Sequence, residues 1–451
     1  MPRPDAHTAT RGIASLRVRG VGLTSRGWWF LGAGFASLAI AYIGGREVFL
    51  FVACLLIALP LVAAALVALR RPRVEVTRSF SPASIPAGAS TSVSLHVRNR
   101  APGRSLPAQW WDGVPWYPHV TGVGRLPALE ARGRRFESRN HATVGYDLIP
   151  PHRGEFQIGP LNVLVTDAFG LATSIAVAGE PQLLVVTPEV VPLPSAGFSI
   201  PAGDGEATLV QRRAAGDEDD IMTREYRSGD AMRRVHWRAS ARHGELMVRQ
   251  EEQRSFPEAR IILDTTASGY PDSTTEPSDI DPDSLAFEWV VRMLASAAVH
   301  LRRGGFLVSV EESGHPQLDG LGQGRRRTWG DEEFLGRLAS LDLTDDPHER
   351  PARGHSTTGP LVALFGSPTP ETIDWMLAQR RPGELAVAFP VHTLTSLDRL
   401  GRSFGAVPDA SVAAQRFTDE GWLVVPVRPD DDPAAAWQAI VVETGRSRGA
   451  V

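Results

Sequence analysis

The segment formed by residues 224–252 combines charged groups, aromatic rings and glycine turns more densely than an ordinary connecting segment does. Among its arginines and carboxylates, seven lie at short spacing and are expected to pair, namely Arg224, Arg233, Arg234 and Arg238 with Glu225, Asp230 and Glu245. A planar guanidinium group is suited to bidentate pairing with a carboxylate. We therefore expect a framework of ion pairs in this segment.

Two turns and a short apolar edge are also predicted here. Gly229-Asp230 and His243-Gly244 are dipeptides typical of turns. Between them, four side chains are expected to line an apolar edge among the arginines: Met232, Val235, Trp237 and Ala241. One interpretation is a structural clamp between two soluble domains, and the alternative is a surface that binds a partner.

Residue patterns for metal or nucleophilic chemistry are weak in this sequence. It has no His-Glu-x-x-His pattern, and Cys54 lies in a hydrophobic run with no nearby histidine. His236 and His243 lie close together, but stable metal sites use three or four ligands. We therefore predict no catalytic residue.

Charge argues against nucleic acid as a partner. The chain of 451 residues has a formal net charge of -4, and every basic residue is arginine because the sequence contains no lysine. Between residues 217 and 254, eight arginines face nine acidic residues. A phosphate-tracking surface requires an excess of positive charge, so nucleic-acid binding is disfavoured.

Two apolar runs near the start predict a transmembrane hairpin. Residues 27–43 and 48–69 are long enough to cross a bilayer as helices, and Trp28 and Trp29 stand where an interfacial aromatic belt would lie. Residues 1–26 are polar and basic and are expected to be disordered. Arginines flank the hairpin outside the short loop, so the positive-inside rule places both termini in the cytoplasm of a multi-pass plasma-membrane protein.

Residues 74–187 show a period of two that predicts a β-sandwich-like domain. Val93, Leu95 and Val97 alternate with polar residues, and similar short runs follow between Pro and Gly. Four aromatic residues crowd one Pro-rich loop and are expected either to bind a partner or lipid or to cap the core: Trp110, Trp111, Trp116 and Tyr117. Residues 167–171 are interpreted as an Asp turn with Phe169 as a core residue, and the alternative is a binding role.

After a predicted linker at 188–220, strands and helices alternate. Strands are expected at 260–264, 306–310, 361–365, 385–389 and 421–427, and helices at 284–303, 331–340, 370–380 and 434–444. Such alternation predicts an α/β domain with a parallel sheet covered on both faces.

The segment at 224–252 resembles the signature of a bacterial family, domain of unknown function 58. The resemblance is carried by the run Arg224-Glu225-Tyr226, Gly229-Asp230, Arg233-Arg234, His236-Trp237, Ala239-Ser240-Ala241-Arg242 and Leu246-Met247-Val248-Arg249. Ten of these are the predicted interaction residues: Arg224, Glu225, Tyr226, Gly229, Asp230, Arg233, Arg234, Trp237, Ser240 and Arg242. The resemblance implies a membrane hairpin (27–69), a β-rich domain (74–187), a signature segment (221–256) and a von Willebrand factor type A-like domain (257–451). It also implies partnership with a MoxR-type AAA+ ATPase and a transglutaminase-like membrane protein.

Asp264, Thr266 and Ser268 follow the first strand of that last domain. Their spacing is similar to the Asp-x-Ser-x-Ser that opens the metal-dependent adhesion site of von Willebrand type A-like domains, which implies Mg²⁺ held by one carboxylate and two hydroxyls. No second aspartate follows the strand at 361–365. The alternative is an Asp turn in which the hydroxyls satisfy backbone amides.

The predicted function is that of a membrane-anchored cytoplasmic interaction or scaffold protein. A metal-dependent hydrolase centred on Asp264 is the alternative.

Overall fold

A computed structural model describes residues 20–70, 72–131, 140–194, 223–226, 232, 235, 237–249, 258–274, 282–318, 330–345, 359–392 and 410–448. These residues fall into two compact units. The first contains the described residues up to 190 together with 272–295 and 329–342, and the second contains the remainder. The predicted linker at 188–220 lies mostly outside the described residues.

Two apolar helices open the first unit, α1 (Ser25–Gly44) and α2 (Glu47–Leu69). Their 20 and 23 residues are long and apolar enough to cross a membrane, and few of their side chains are buried. Gly45, with φ 63°, ends α1 in the left-handed region that glycine adopts freely. The helices approach closely at Gly34, where a Cβ would lie 2.7 Å from the side chain of Ile57.

The expectation of disorder through residue 26 is wrong for its last part. Strand β1 (Gly20–Leu23) precedes α1 and pairs antiparallel with a strand near residue 172. The hydroxyl of Thr24 then accepts a hydrogen bond from the Gly27 N–H and caps α1. The basic composition of the segment did not reveal this strand, because its partner lies about 150 residues further along the chain.

The described residues of 74–187, the region of the first unit with period two, form ten strands. They are β2 (Val74–Ser81), β3 (Ser84–Pro86), β4 (Thr91–Asn99), β5 (Ala108–Val114), β6 (Tyr117–Leu126), β7 (His141–Leu148), β8 (Gly154–Ile158), β9 (Leu161–Thr166), β10 (Ala172–Ala178) and β11 (Gln182–Thr187). Two sheets are antiparallel, with orders β1-β10-β9-β5-β6 and β2-β4-β7, and a third, β3-β11-β8, is mixed. The alternating apolar residues of β4, Val93, Leu95 and Val97, all lie in the core.

Trp110 and Trp116 belong to this core and do not form a partner surface. Their side chains are 3% and 4% exposed, and Trp110 lies on strand β5 where a loop was expected. The core interpretation of these two residues is therefore the right one. Phe169 shows the opposite outcome: expected in the core, it is 65% exposed.

A buried ion pair crosses the first unit. The Arg78 guanidinium donates to both carboxylate oxygens of Asp112, at 2.9 and 2.6 Å, and Tyr146 donates to the same carboxylate at 2.8 Å. Burial, followed by the nearby Asp112 charge, raises the pKa of the Tyr146 hydroxyl. Tyr146 therefore remains a hydrogen-bond donor, and the buried charges are satisfied from three strands.

The second unit contains a five-stranded parallel sheet, as the alternation predicts. Its strands are β14 (Glu258–Leu263), β15 (Leu307–Glu312), β16 (Leu361–Phe365), β17 (Ala386–Pro390) and β18 (Leu423–Val424), in the order β15-β14-β16-β17-β18. The later helices of the chain are α4 (Leu285–Arg303), α5 (Asp331–Ala339), α6 (Pro370–Ala378), α7 (Ala410–Asp419) and α8 (Pro433–Arg448). β16 and β17 are buried at every position, as strands covered on both faces are.

This sheet reverses its winding direction between β14 and β16. The chain runs from β14 outward to β15 and then returns to the other side of β14 at β16. In open sheets of this type, ligands bind beyond the carboxyl ends of the strands at the reversal. Asp264 follows β14 directly and occupies that position.

Candidate functional site

The described part of the signature segment (221–256) contains a small two-stranded ladder. β12 (Thr223–Glu225) pairs antiparallel with β13 (Met247–Arg249), and the short helix α3 (Trp237–His243) lies between them in sequence. The Tyr226 N–H donates to the Leu246 carbonyl at 2.8 Å and extends the ladder. The ladder therefore brings residues 223–225 and 247–249, the two ends of the described part, together.

Ser240 fixes the return from α3 to β13. Its hydroxyl accepts a hydrogen bond from the Met247 N–H at 2.8 Å, and its carbonyl accepts one from Gly244. Gly244 has a φ of 78° and ends the helix, so the predicted turn at His243-Gly244 is present. Ser240 thus has a structural role in the described part of the segment.

The apolar residues of the segment divide into a buried and an exposed set. Val235 and Val248 are 8% and 2% exposed and form a bridge to each other. Met232 and Trp237 are 55% and 66% exposed. A single exposed apolar residue is ordinary. This arginine-rich segment exposes both a Trp and a Met, and Trp and Arg are enriched among the residues that dominate binding energy at interfaces.

Several predicted residues of this site lie outside the described part of the chain: Gly229, Asp230, Arg233, Arg234 and His236. The side chains of Arg224 and Arg238 are likewise not described, whereas those of Glu225, Arg242 and Glu245 are exposed. The predicted framework of ion pairs therefore stays a prediction.

Asp264 is the second candidate, and its carboxylate is fully buried. Its Oδ1 atom accepts three hydrogen bonds, from the Thr266 N–H at 3.1 Å, the Thr266 hydroxyl at 2.7 Å and the Ser313 hydroxyl at 2.6 Å. Thr344 bridges to the same loop through its N–H and the Thr265 carbonyl. The carboxylate thus joins the ends of β14 and β15.

The other carboxylate oxygen of Asp264 is buried and has no hydrogen-bond partner among the described residues. Burial raises the pKa of the carboxyl above its ordinary value, and the hydrogen bonds from Ser313 and Thr266 oppose this rise. A Cβ on Gly269 would lie 2.2 Å from this oxygen. The oxygen is therefore covered by the backbone of Gly269.

The crevice beyond β14 and β16 is filled by the chain itself. Residues Ala267–Gly269 form a 3-10 turn, and the fully buried Tyr270 donates its hydroxyl to the Asp264 carbonyl at 2.8 Å. The Ser367 N–H donates to the Gly269 carbonyl at 2.7 Å. The position where such sheets bind ligands is thus closed.

Magnesium does not fit the residues as they are arranged. Mg²⁺ keeps near-octahedral coordination and usually retains several waters. Asp264 is sealed from solvent, the Thr266 and Ser313 hydroxyls donate to it, and Ser268 is exposed rather than gathered with them. In the part of the chain that the structure describes, no three His, Cys, Asp or Glu side chains cluster. The arrangement favours the Asp turn.

Two features escaped the sequence interpretation. Ser313 makes the shortest of the three hydrogen bonds to Asp264 Oδ1, at 2.6 Å, and follows β15; its signal is a serine three residues after the strand predicted at 306–310. Residues 401–405, Gly-Arg-Ser-Phe-Gly, have the spacing of a nucleophile elbow, but they lie outside the described residues.

Solved structures resemble this chain only distantly. The CARDB domain of a Pyrococcus furiosus protein has 11% identity and a TM-score of 0.17, covering 24% of this chain and 94% of its own. Bacteroides uniformis β-glucuronidase 2 has 8% identity and a TM-score of 0.17, covering 82% of this chain and 32% of its own. At these scores neither likeness carries an argument about function.

No curated protein matches the chain. Residues 222–280 match the family described as protein of unknown function DUF58. This match covers the ladder, α3, β14 and the turn at Asp264. Residues 222–280 therefore carry the DUF58 pattern, which confirms the family resemblance predicted from the arginine-rich segment.

Proposed function

We propose that this chain is a membrane-anchored interaction protein that binds a protein partner through the signature segment. The observation that carries the proposal is the exposure of Trp237 and Met232 within the residues that match the family. Tryptophan and arginine are enriched among the residues that dominate binding energy at protein interfaces. The alternative of a structural clamp requires Trp237 to be packed, which its 66% exposure does not support.

Membrane anchoring is the second part of the proposal. The length and apolar surface of α1 and α2 support a hairpin across the bacterial plasma membrane. Arginines precede the first helix and follow the second, which supports a topology with both the N-terminus and the C-terminus in the cytoplasm. The antiparallel sheets then form a β-sandwich-like domain, and the doubly wound parallel sheet forms a von Willebrand type A-like domain beneath the membrane.

The partner class comes from the family resemblance. A MoxR-type AAA+ ATPase is the first candidate, and a transglutaminase-like membrane protein is the second.

The test is partner capture from detergent-solubilised membranes by wild type and by Trp237→Ala. The variant should lose the partner and melt like wild type, since exposed substitutions usually change stability by less than about 0.5 kcal/mol. Val412→Ala is the matched control, because Val412 is 60% exposed on α7 outside the signature segment. Equal capture by wild type and Trp237→Ala would contradict the proposed binding surface.

The nucleotide dependence of capture and an assay for turnover distinguish partner binding from an enzymatic role. If the partner is an AAA+ ATPase, capture should change between ATP and no nucleotide. Turnover of a substrate by the purified chain alone would instead favour the hydrolase and count against an interaction role.

A further inference from the structure

The turn between β9 and β10 presents an exposed phenylalanine on a fixed backbone. The Asp167 carboxylate accepts hydrogen bonds from the N–H groups of Phe169 at 2.8 Å and of Leu171 and Ala172 at 2.6 Å. Gly170 adopts a φ of 70° and completes the turn. Phe169 is 65% exposed at its tip. An Asp turn built this tightly holds the apolar ring away from the core of its own unit.

This turn is attached to the first turn of helix α1. The Thr24 N–H donates to the Leu171 carbonyl at 3.0 Å, and the Thr24 hydroxyl donates to the Gly170 carbonyl at 2.6 Å. Gly27 allows the close approach, because a Cβ there would lie 2.3 Å from the Leu171 carbonyl oxygen. Strand pairing of β1 with β10 supports the same contact.

The level of Phe169 along the helix follows from these contacts. Two residues of chain span at most about 7 Å, so Phe169 lies close to the start of α1. Trp28 and Trp29, in the first turn of α1, are 65% and 79% exposed. Aromatic side chains at such helix starts lie in the interfacial region of a bilayer.

We propose that Phe169 inserts into the lipid interface beside the first membrane helix. The inference rests on the membrane anchoring proposed above and adds a contact outside the two helices. A hairpin alone allows the attached unit to tilt about its exit point. An apolar contact to one side of the hairpin, fixed through Thr24 and Gly27, sets the orientation of the β-sheet unit against the membrane plane.

Depth-dependent fluorescence quenching tests the inference on the full chain in lipid vesicles. An environment-sensitive fluorophore is attached at Phe169→Cys or Ile149→Cys, each in a Cys54→Ala background. Ile149 is the matched control, being 51% exposed and apolar. His141 is the first residue of β7, and Ile149 comes directly after its last residue. The two are therefore about eight residues, or roughly 26 Å, apart along the strand. His141 pairs with Arg98, and Arg98 pairs with Glu75 at the start of β2, which follows α2 in the chain. Ile149 therefore lies at the end of this sheet away from the start of β2.

Lipids that carry a nitroxide near the headgroup should quench the label at residue 169 and leave the label at 149 bright. Equal, weak quenching at both positions would overturn the inference, as would shielding of residue 169 only when a protein partner is added. A label on native Cys54, exposed on α2, reports the anchoring itself with a deep nitroxide. Quenching at Cys54 without quenching at 169 rejects only the Phe169 contact, whereas no quenching at Cys54 rejects both proposals.

Discussion

Replacing Asp264 by alanine separates a structural carboxylate from a metal ligand. Its Oδ1 atom accepts hydrogen bonds from two hydroxyls and from the Thr266 N–H. The hydroxyls can rotate toward other acceptors, but the N–H cannot, and a buried donor without a partner costs about 1–3 kcal/mol. At roughly 2–4 °C per kcal/mol for domains of 150–250 residues, the melting temperature should fall by roughly 2–12 °C.

The size of this loss should depend on pH. Burial raises the pKa of Asp264 above 3.8, its ordinary value and the one expected in the unfolded chain. The folded state therefore holds the proton more tightly than the unfolded state does. The stability that this carboxyl contributes is fully present below pH 3.8 and is lost as the pH rises through the raised pKa. The deficit of Asp264→Ala should accordingly be largest in acid and shrink as the pH rises.

The assay is thermal unfolding of the detergent-solubilised chain, followed by tryptophan fluorescence across this pH range. Ser268→Ala is the matched control, because Ser268 belongs to the same short pattern but is exposed and should not change the melting temperature. A magnesium site predicts the reverse: both variants melt like wild type and both lose metal-dependent partner capture. That result would refute the structural interpretation of Asp264.

Three further outcomes follow from buried contacts and from charge. Asp112→Ala should lower the free energy of unfolding by about 3–5 kcal/mol by leaving Arg78 unpaired, and Arg78→Met with Asp112→Leu should recover most of it in urea titrations. Gly269→Ala places a Cβ 2.2 Å from Asp264 Oδ2 and should cost about 1–3 kcal/mol in thermal melts, whereas Gly336→Ala, in open space on α5, should not. Reporters that are active only outside the cytoplasm should stay inactive when fused at either terminus and become active in the loop between α1 and α2; activity at a terminus would reject the orientation.

Regular periodicity made much of the fold predictable. The helix expected at 284–303 is α4 (Leu285–Arg303), and the strand expected at 361–365 is β16. Both depend on patterns within one element, where the spacing of apolar residues decides the conformation. The parallel sheet followed from the same alternation of elements.

Contacts between distant parts of the chain were not predictable in this way. Ser313 reaches Asp264 across 49 residues, and nothing in the spacing of either loop reveals the bond. Phe169 was expected in a core because apolar rings usually pack, yet the turn that Asp167 stabilises turns it outward. In the signature segment, residue types suggested an apolar edge, but only tertiary contact decided that Val235 is buried and Trp237 exposed.

Strand β1 has a consequence for the order of synthesis. Gly22 and its neighbour Thr173 are 151 residues apart, so the ribosome must add the intervening chain before β10 can pair with β1. At roughly 5–20 residues per second this takes roughly 8–30 s. The helix hairpin follows β1 directly and emerges long before that pairing. During this interval β1 has an open edge that other strands can pair with, and both apolar helices have been synthesised before the sheet is complete.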